Sequence, residues 1–338
     1  MATAGSFTSR SWTPISPIPW NPCPYADAMV KNVRYRIKHV TMYRYGFPVR
    51  NCAMSLALRP LEDRRQRVSA FRIETEPEGS IFPVSDAFGN TRHQLHLNRD
   101  HRSLSITARS MVGVTPGAAP PEECEEDAWE TIRGWRDSFH QWDFMDHSGL
   151  ALPSPALERF VQQSGIAPAG DPLAALKRLS GALFERFEYV PGSTTISSTI
   201  EHILDTGRGV CQDYAHVMIA VARTWGIPAR YVSGYLHDES AAGGAGGGGE
   251  RGGGTTSHAW VECRLPGPGW TGFDPTNATL ADERHVRVAV GRDYQDVSPT
   301  RGVLFGGGDI ELEVEVNMET IPENPADSPY SMHEEPKR

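Results

Sequence analysis

Three residues in this chain stand in stretches that give each a chemical task. Cys211 follows the turn-like segment Gly207-Arg208-Gly209-Val210. It opens a run in which Ala215, Met218, Ile219, Ala222 and Trp225 recur at helical spacing. His258 opens the alternating stretch Ser257-His258-Ala259-Trp260-Val261-Glu262, and Asp274 closes Gly269-Trp270-Thr271-Gly272-Phe273-Asp274 before Pro275. A cysteine at a helix N-terminus meets unpaired backbone N–H groups and the positive end of the helix dipole. Both favour a thiolate, and the same amides can hold an oxyanion. A histidine can serve that sulfur as base, and a carboxylate can orient the imidazole. Cys211, His258 and Asp274 therefore point to acyl transfer through a thioester.

The elements that must bring them together are legible. The Cys211 helix stops at Gly226-Ile227-Pro228. Tyr231–Leu236 reads as the strand that follows it, Ala259–Cys263 as the next, and Trp270–Asp274 as a third. His258 and Asp274 are 16 residues apart, which a strand hairpin spans. Asp213 reads as a helix-start carboxylate and His216 as structural. Each residue also has a plainer reading: a buried helix cysteine, a core histidine, a turn aspartate. The coincidence of glycine turn, helix start and two partner segments favours the chemical one. A zinc site of Cys211, His216, His258 and Cys263 is a rival with unusual ligand spacing, as is one of His93, His96 and His101. No metal and no cofactor are expected, and no acidic loop with regularly spaced oxygen ligands suggests calcium.

The rest of the chain divides by its periodicity. Residues 1–30, with five prolines, read as an extended arm. Residues 31–115 alternate in short runs (Val33–Val40, Phe71–Thr75, Gln94–Leu97, Ser103–Arg109), separated by turn signals such as Phe88-Gly89-Asn90. They predict an antiparallel β domain, a sandwich or barrel with one face wet. Residues 116–170 form a helical connector, with helices expected over 122–139 and from Pro155. Residues 171–320 form the catalytic core, beginning with a helix from Asp171 whose buried stripe is Leu176, Leu179, Leu183 and Phe184. His285–Val290 and Glu311–Val316 alternate again and are expected to extend that core's sheet. The Gly/Ala stretch 242–254, just before His258, reads as a surface insertion, with a mobile flap as the alternative. Residues 321–338 read as a disordered tail.

Composition narrows the partners. The chain has 338 residues, 39% of them hydrophobic, and a formal net charge of -9. No Lys/Arg-rich block is present, so nucleic acid is not an expected partner. No stretch approaches a membrane span or a secretory signal, and the five scattered cysteines fit free thiols better than a disulfide framework. These features lead us to expect a cytoplasmic protein acting on a peptide or protein substrate, with oligomeric state undetermined.

GVCQDYAH, GIPARYVSGY, SHAWVEC and GWTGFDPTN occur in order and resemble the transglutaminase-like cysteine enzyme superfamily. The segments TMYRYGFPV and DAFGN, within residues 33–114, resemble the N-terminal β domain of its bacterial members, and residues 285–303 extend the likeness. The resemblance implies an α+β fold: a papain-like core, with the nucleophile's helix packed on an antiparallel sheet, preceded by an antiparallel β domain. It implies Cys211 as nucleophile, His258 as base and acid, and Asp274 as orienter. It further implies hydrolysis of peptide or isopeptide bonds first, and crosslinking of protein glutamine to amines second. A binding module that keeps the fold without the activity is a third reading. An acyltransferase for arylamines or acyl-CoA is a fourth.

Overall fold

The computed structural model describes residues 32–117, 122–137, 141–237 and 257–322. The expected N-terminal arm, the Gly/Ala stretch 242–254 and residues 323–338 of the tail lie outside the described residues.

Alternation in the first third produces five strands: β1 (Val33–Leu56), β2 (Gln66–Glu76), β3 (Ser80–Ser85), β4 (Thr91–Leu97) and β5 (His101–Val114). β1 is far longer than its opening alternation suggests, and it organises the whole sheet. Along one side run β5, from Val114 opposite Val33 to His101 opposite Val49, and then β4, with Leu97 opposite Cys52. Along its other side run β14 (Ile310–Ile321), against Arg34–Tyr45, and β13 (Thr300–Gly306), against Val49–Leu56. The pairing along β1 is interrupted at one level: its register shifts between Arg44 and Val49, where residues 98–100 and 307–309 separate its partner strands. There Gly306, Gly307 and Gly308 all take positive φ, a backbone state that costs glycine nothing. β2 and β3 complete the seven-stranded antiparallel sheet. Leu95, Leu97, Leu104, Ile106, Val49 and Leu56, from both halves of the sheet, share one apolar cluster.

This corrects one expectation. The strand holding Glu311–Val316 does not extend the catalytic sheet; it pairs with β1 in the N-terminal domain. Alternation specifies a strand but not its neighbour, and here β1 offers a free edge of matching length.

The middle third is helical, as its period predicts: α1 (Ala128–Gly134), the short α2 (Trp142–Met145), α3 (Pro155–Gln163) and α4 (Pro172–Arg186). The 122–139 helix is shorter than expected, with α1 passing into a 3₁₀ turn at Trp135–Asp137. Ser154 and Asp171 cap α3 and α4, their side-chain oxygens accepting from the N–H of Leu157 (3.3 Å) and Ala174 (2.8 Å). Proline occupies the first position of each.

β6 (Glu188–Tyr189), α5 (Ile200–Thr206) and β7 (Arg208–Gly209) lead into α6 (Cys211–Thr224). The core sheet then follows: β8 (Ala229–Leu236), β9 (Ser257–Leu265), β10 (Gly269–Asp274), β11 (Thr279–Leu280) and β12 (His285–Gly291), in the order β11-β10-β9-β8-β12. The short α7 (Tyr294–Val297) leads back to β13. Every residue of α6 from Gln212 to Arg223 is buried, and the polar ones among them (Gln212, Asp213, His216 and Arg223) each find a hydrogen-bond partner. Ala259, Val261, Cys263 and Phe273 pack with it in the largest cluster.

The two sheets meet through Tyr35, Ile37, Val112, Val114 and Met318 on one side and Tyr235, Val286 and Val288 on the other. β12 would be a bare edge, but two buried carboxamides of the β domain satisfy it. Asn90 exchanges hydrogen bonds with the N–H (2.8 Å) and C=O (2.8 Å) of Val290. Gln66 does the same for Arg287 (2.9 and 2.7 Å). An edge strand closed this way is denied to other chains and is fixed by the domain beside it.

Candidate active site

α5 ends at Gly207, whose φ of 71° forms the left-handed cap. The expected turn before Cys211 is thus a helix stop followed by a two-residue bridge, β7, pairing parallel with β6. A Cβ on Gly209 would meet Ile203 Cδ1 at 2.5 Å and Asp213 Cβ at 3.0 Å, so the chain passes close to both side chains here. Cys211 is the first residue of α6, partly exposed and free of any disulfide. Asp213 closes that helix start. Its Oδ2 accepts from the Val210 N–H (2.8 Å) and from the Thr194 hydroxyl (2.7 Å), while burial pushes its carboxyl pKa up.

Strands β9 and β10 form the expected hairpin, with Phe273 opposite Val261, and this sets His258 beside Asp274. His258 Nε2 donates to Asp274 Oδ2 at 2.8 Å. The Cys211 side chain stands close enough to the same imidazole to raise its pKa, and Nδ1 is the ring nitrogen not engaged by Asp274. The structure therefore brings Cys211, His258 and Asp274 into one neighbourhood.

Asp274 is fully buried (0% exposed) and saturated with donors. Besides His258, its Oδ2 accepts from Asn277 Nδ2 (2.7 Å) and His285 Nε2 (3.3 Å), and its Oδ1 accepts from the Thr276 N–H (3.1 Å). Burial alone would raise this carboxyl. The charges and hydrogen bonds of His258 and His285 override it and hold the group far below the ordinary carboxylate range. Burial likewise works against the His258 cation. The Asp274 charge and hydrogen bond, then the Cys211 side chain, raise that imidazole to about 10. A side chain so held can carry a proton at neutral pH and give it up only to a strong local demand.

Trp260 walls the group. Its ring lies 6.2 Å from that of His258 and edge-on to that of His285 at 5.1 Å. A Cβ on Gly234, directly opposite His258 on β8, would meet Trp260 Cη2 at 2.5 Å, so the ring occupies space only glycine leaves.

Sequence reasoning passed over His285, Asp282 and the orienting role of Asn277. A signal for His285 existed: it opens an alternating strand just as His258 does. His258, Asp274 and His285 offer ligand atoms within 4.8 Å of one another, close enough to converge on a metal ion, yet the hydrogen bonds of both imidazoles to Asp274 account for that closeness. Among the described residues no such group joins Cys211, His216 and Cys263, or His93, His96 and His101. His216 is buried, accepts from the Tyr294 N–H at 3.1 Å, and is pushed down by burial to about 3, which fits the structural reading.

The pair leaves a pH signature on stability. His258, raised in the fold, contributes fully below its ordinary value near 6.5 and loses that contribution as pH rises through about 10. Asp274, depressed in the fold, contributes above its ordinary value near 3.8 and loses it as pH falls below that. The gap in urea midpoint between wild type and Asp274→Asn is therefore largest at about pH 4–6.5 and narrows towards pH 10. A gap independent of pH would contradict the ion pair.

Family models match in two places: the transglutaminase-like superfamily over residues 159–275, and the bacterial transglutaminase-like N-terminal region over residues 35–113. An uncharacterised protein of Mycobacterium tuberculosis (strain ATCC 25618 / H37Rv) is 33% identical over 297 residues, covering 86% of this chain and 93% of that one. The chain belongs to the transglutaminase-like superfamily. A crystal structure of a candidate cysteine protease from Cytophaga hutchinsonii shares the α+β fold, with a TM-score of 0.70 at 18% identity, covering 87% of this chain and 92% of that one. A protein-glutamine gamma-glutamyltransferase of Pseudomonas aeruginosa is 35% identical over 105 residues, which is 29% of this chain but 15% of that protein. The matched core, residues 159–275, spans Cys211, His258 and Asp274. His285 lies beyond it.

No helix among the described residues is long and apolar enough to cross a membrane.

Proposed function

We propose that this member of the superfamily is a cysteine-dependent acyl-transfer enzyme that hydrolyses peptide or isopeptide amide bonds. The observation that carries the reading is the grouping of Cys211, at the start of a buried helix, with an imidazole that it influences and that Asp274 holds by a hydrogen bond. The Cys211 thiolate adds to the amide carbonyl carbon, and the oxyanion rests on the amides of the first turn of α6. His258 Nδ1 gives its proton to the departing nitrogen, the C–N bond breaks, and a thioester remains. His258 then takes a proton from water as that water adds to the thioester carbonyl. The C–S bond breaks, releasing a carboxylic acid and restoring the thiolate.

Transfer to an amine is the second reading, favoured by the short match to the glutamyltransferase. Both reactions share the acylation and differ in what opens the thioester. Water needs no site of its own, so hydrolysis is the outcome unless an amine is held in place.

Intact-mass spectrometry after mixing with glutamine-containing peptides and isopeptide-linked peptides tests both. The expected result is an adduct on Cys211 of the donor's acyl mass, decaying to free acid in buffer. Decay instead to an amide when lysine is added would favour transfer. The proposal fails if no donor gives an adduct and Cys211 reacts with iodoacetamide no faster than an ordinary thiol.

A further inference from the structure

Asp274 Oδ2 is shared by two imidazoles, and Cys211 acts on only one of them. His285 is 2% exposed and belongs to neither the matched core nor the three residues whose chemistry the sequence announces. Its Nε2 donates to the oxygen that receives His258. Its Nδ1 lies 3.0 Å from Asp282 Oδ1 and 3.1 Å from the Asp282 backbone nitrogen. When Nδ1 carries a proton it donates to that carboxylate, and when bare it accepts from that amide, so Asp282 fixes the ring in either state. Asp282 is itself gripped by Arg284, whose Nε and Nη2 donate to its carboxylate at 2.9 and 2.6 Å. His285 is also the first residue of β12, the strand held by Asn90 and Gln66 of the β domain.

We propose that His285 is a positioning residue: its Nε2–H, anchored through Asp282, keeps the Asp274 carboxylate aligned on His258. It touches neither substrate nor sulfur and acts only through Asp274. The proposal rests on the covalent reading above. It also gives the β domain a part in the chemistry, since that domain seats the strand from which His285 projects. The charged groups facing His285 are Asp274, Asp282 and His258.

The test needs no natural substrate. It measures the rate at which iodoacetamide alkylates Cys211 at pH 6.5, read by peptide mass spectrometry. Cys124 in the same molecule is the reference, its thiol pushed up to about 11 by burial and Asp171. His285→Gln and His285→Leu are both neutral and similar in size, so any lost charge is common to them. Only Gln can donate to Asp274. In wild type Cys211 should react at least about tenfold faster than Cys124. His285→Leu should lose about tenfold relative to His285→Gln, a difference that packing alone would not produce. Asp282 is partly exposed, so Asp282→Ala keeps the test open if the buried variants fail to fold. It should slow Cys211 two- to fourfold, on the order of a lost surface hydrogen bond. Wild-type Cys211 no faster than Cys124 would sink the covalent reading itself. A fast wild type with Leu equal to or faster than Gln, or with Asp282→Ala unchanged, would overturn the positioning role alone.

Discussion

Cys211→Ala is expected to fold as the parent does and to turn over nothing. The side chain is small and partly exposed, so its loss costs on the order of 1 kcal/mol or less. The chemistry has no substitute for it, because neither His258 nor Asp274 can form the covalent bond. Loss of the nucleophile in such a group lowers kcat by about 10⁶, which leaves nothing above the uncatalysed rate in an ordinary assay. Asp274→Asn is the graded companion. An amide can still accept from one imidazole, but it carries no charge to hold the His258 cation, so a fall of about 10²–10⁴ in kcat is expected. Progress curves on any donor that acylates wild type, with thermal melts run beside them, read both variants. Substantial residual turnover by Cys211→Ala would mean that no thioester lies on the pathway.

The second large effect is on stability, and it comes from a residue with no side chain. Gly234→Ala should destabilise the fold by more than about 3 kcal/mol. The added methyl would press on the backbone carbonyl of Val286 and on the Trp260 ring, neither of which can retreat. Trp260 is 0% exposed, and the carbonyl belongs to β12, which is held on both edges. β8 lies between β9 and β12, so the gap at Gly234 is also what lets the Trp260 ring lie against His285. Loss of the gap should therefore weaken Cys211 reactivity along with the denaturation midpoint. Gly113→Ala is the control. It too lies in a strand, but nothing is within 4 Å of the added methyl, and its midpoint should move by less than about 1 kcal/mol. Equal midpoints for the two variants would contradict this account.

Much of the architecture could be read from the chain because half-wet strands alternate and capped helices announce their starts. β1, β4 and β5 appear where apolar and polar residues change places every second position. α3 and α4 begin at Ser154-Pro155 and Asp171-Pro172, as their caps require. β3 was not legible. Ser80–Ser85 is exposed on most of both sides and contains Pro83, so it carries neither the alternation nor the composition of an inner strand. β14 was legible as a strand but not as a member of its sheet, since pairing depends on edges that the sequence does not display.

The site divides the same way. Cys211, His258 and Asp274 each carry a local signal, a helix start or a strand end beside distinctive neighbours. His285 carries only its place at the head of an alternating run. Its function depends on β12 lying next to β8, and on a glycine at 234 that leaves the intervening strand bare. Both are facts of tertiary arrangement.

The strand pairing of β13 and β14 along β1 has a practical corollary. The first domain is stitched together from both extremities of the described chain, with the core looped out between them. A cut placed after β12 to isolate a minimal core would strip one flank of β1 and unsettle the surface on which β12 rests. Anyone grafting this catalytic unit onto another scaffold must transplant the segments on either side of it as one piece.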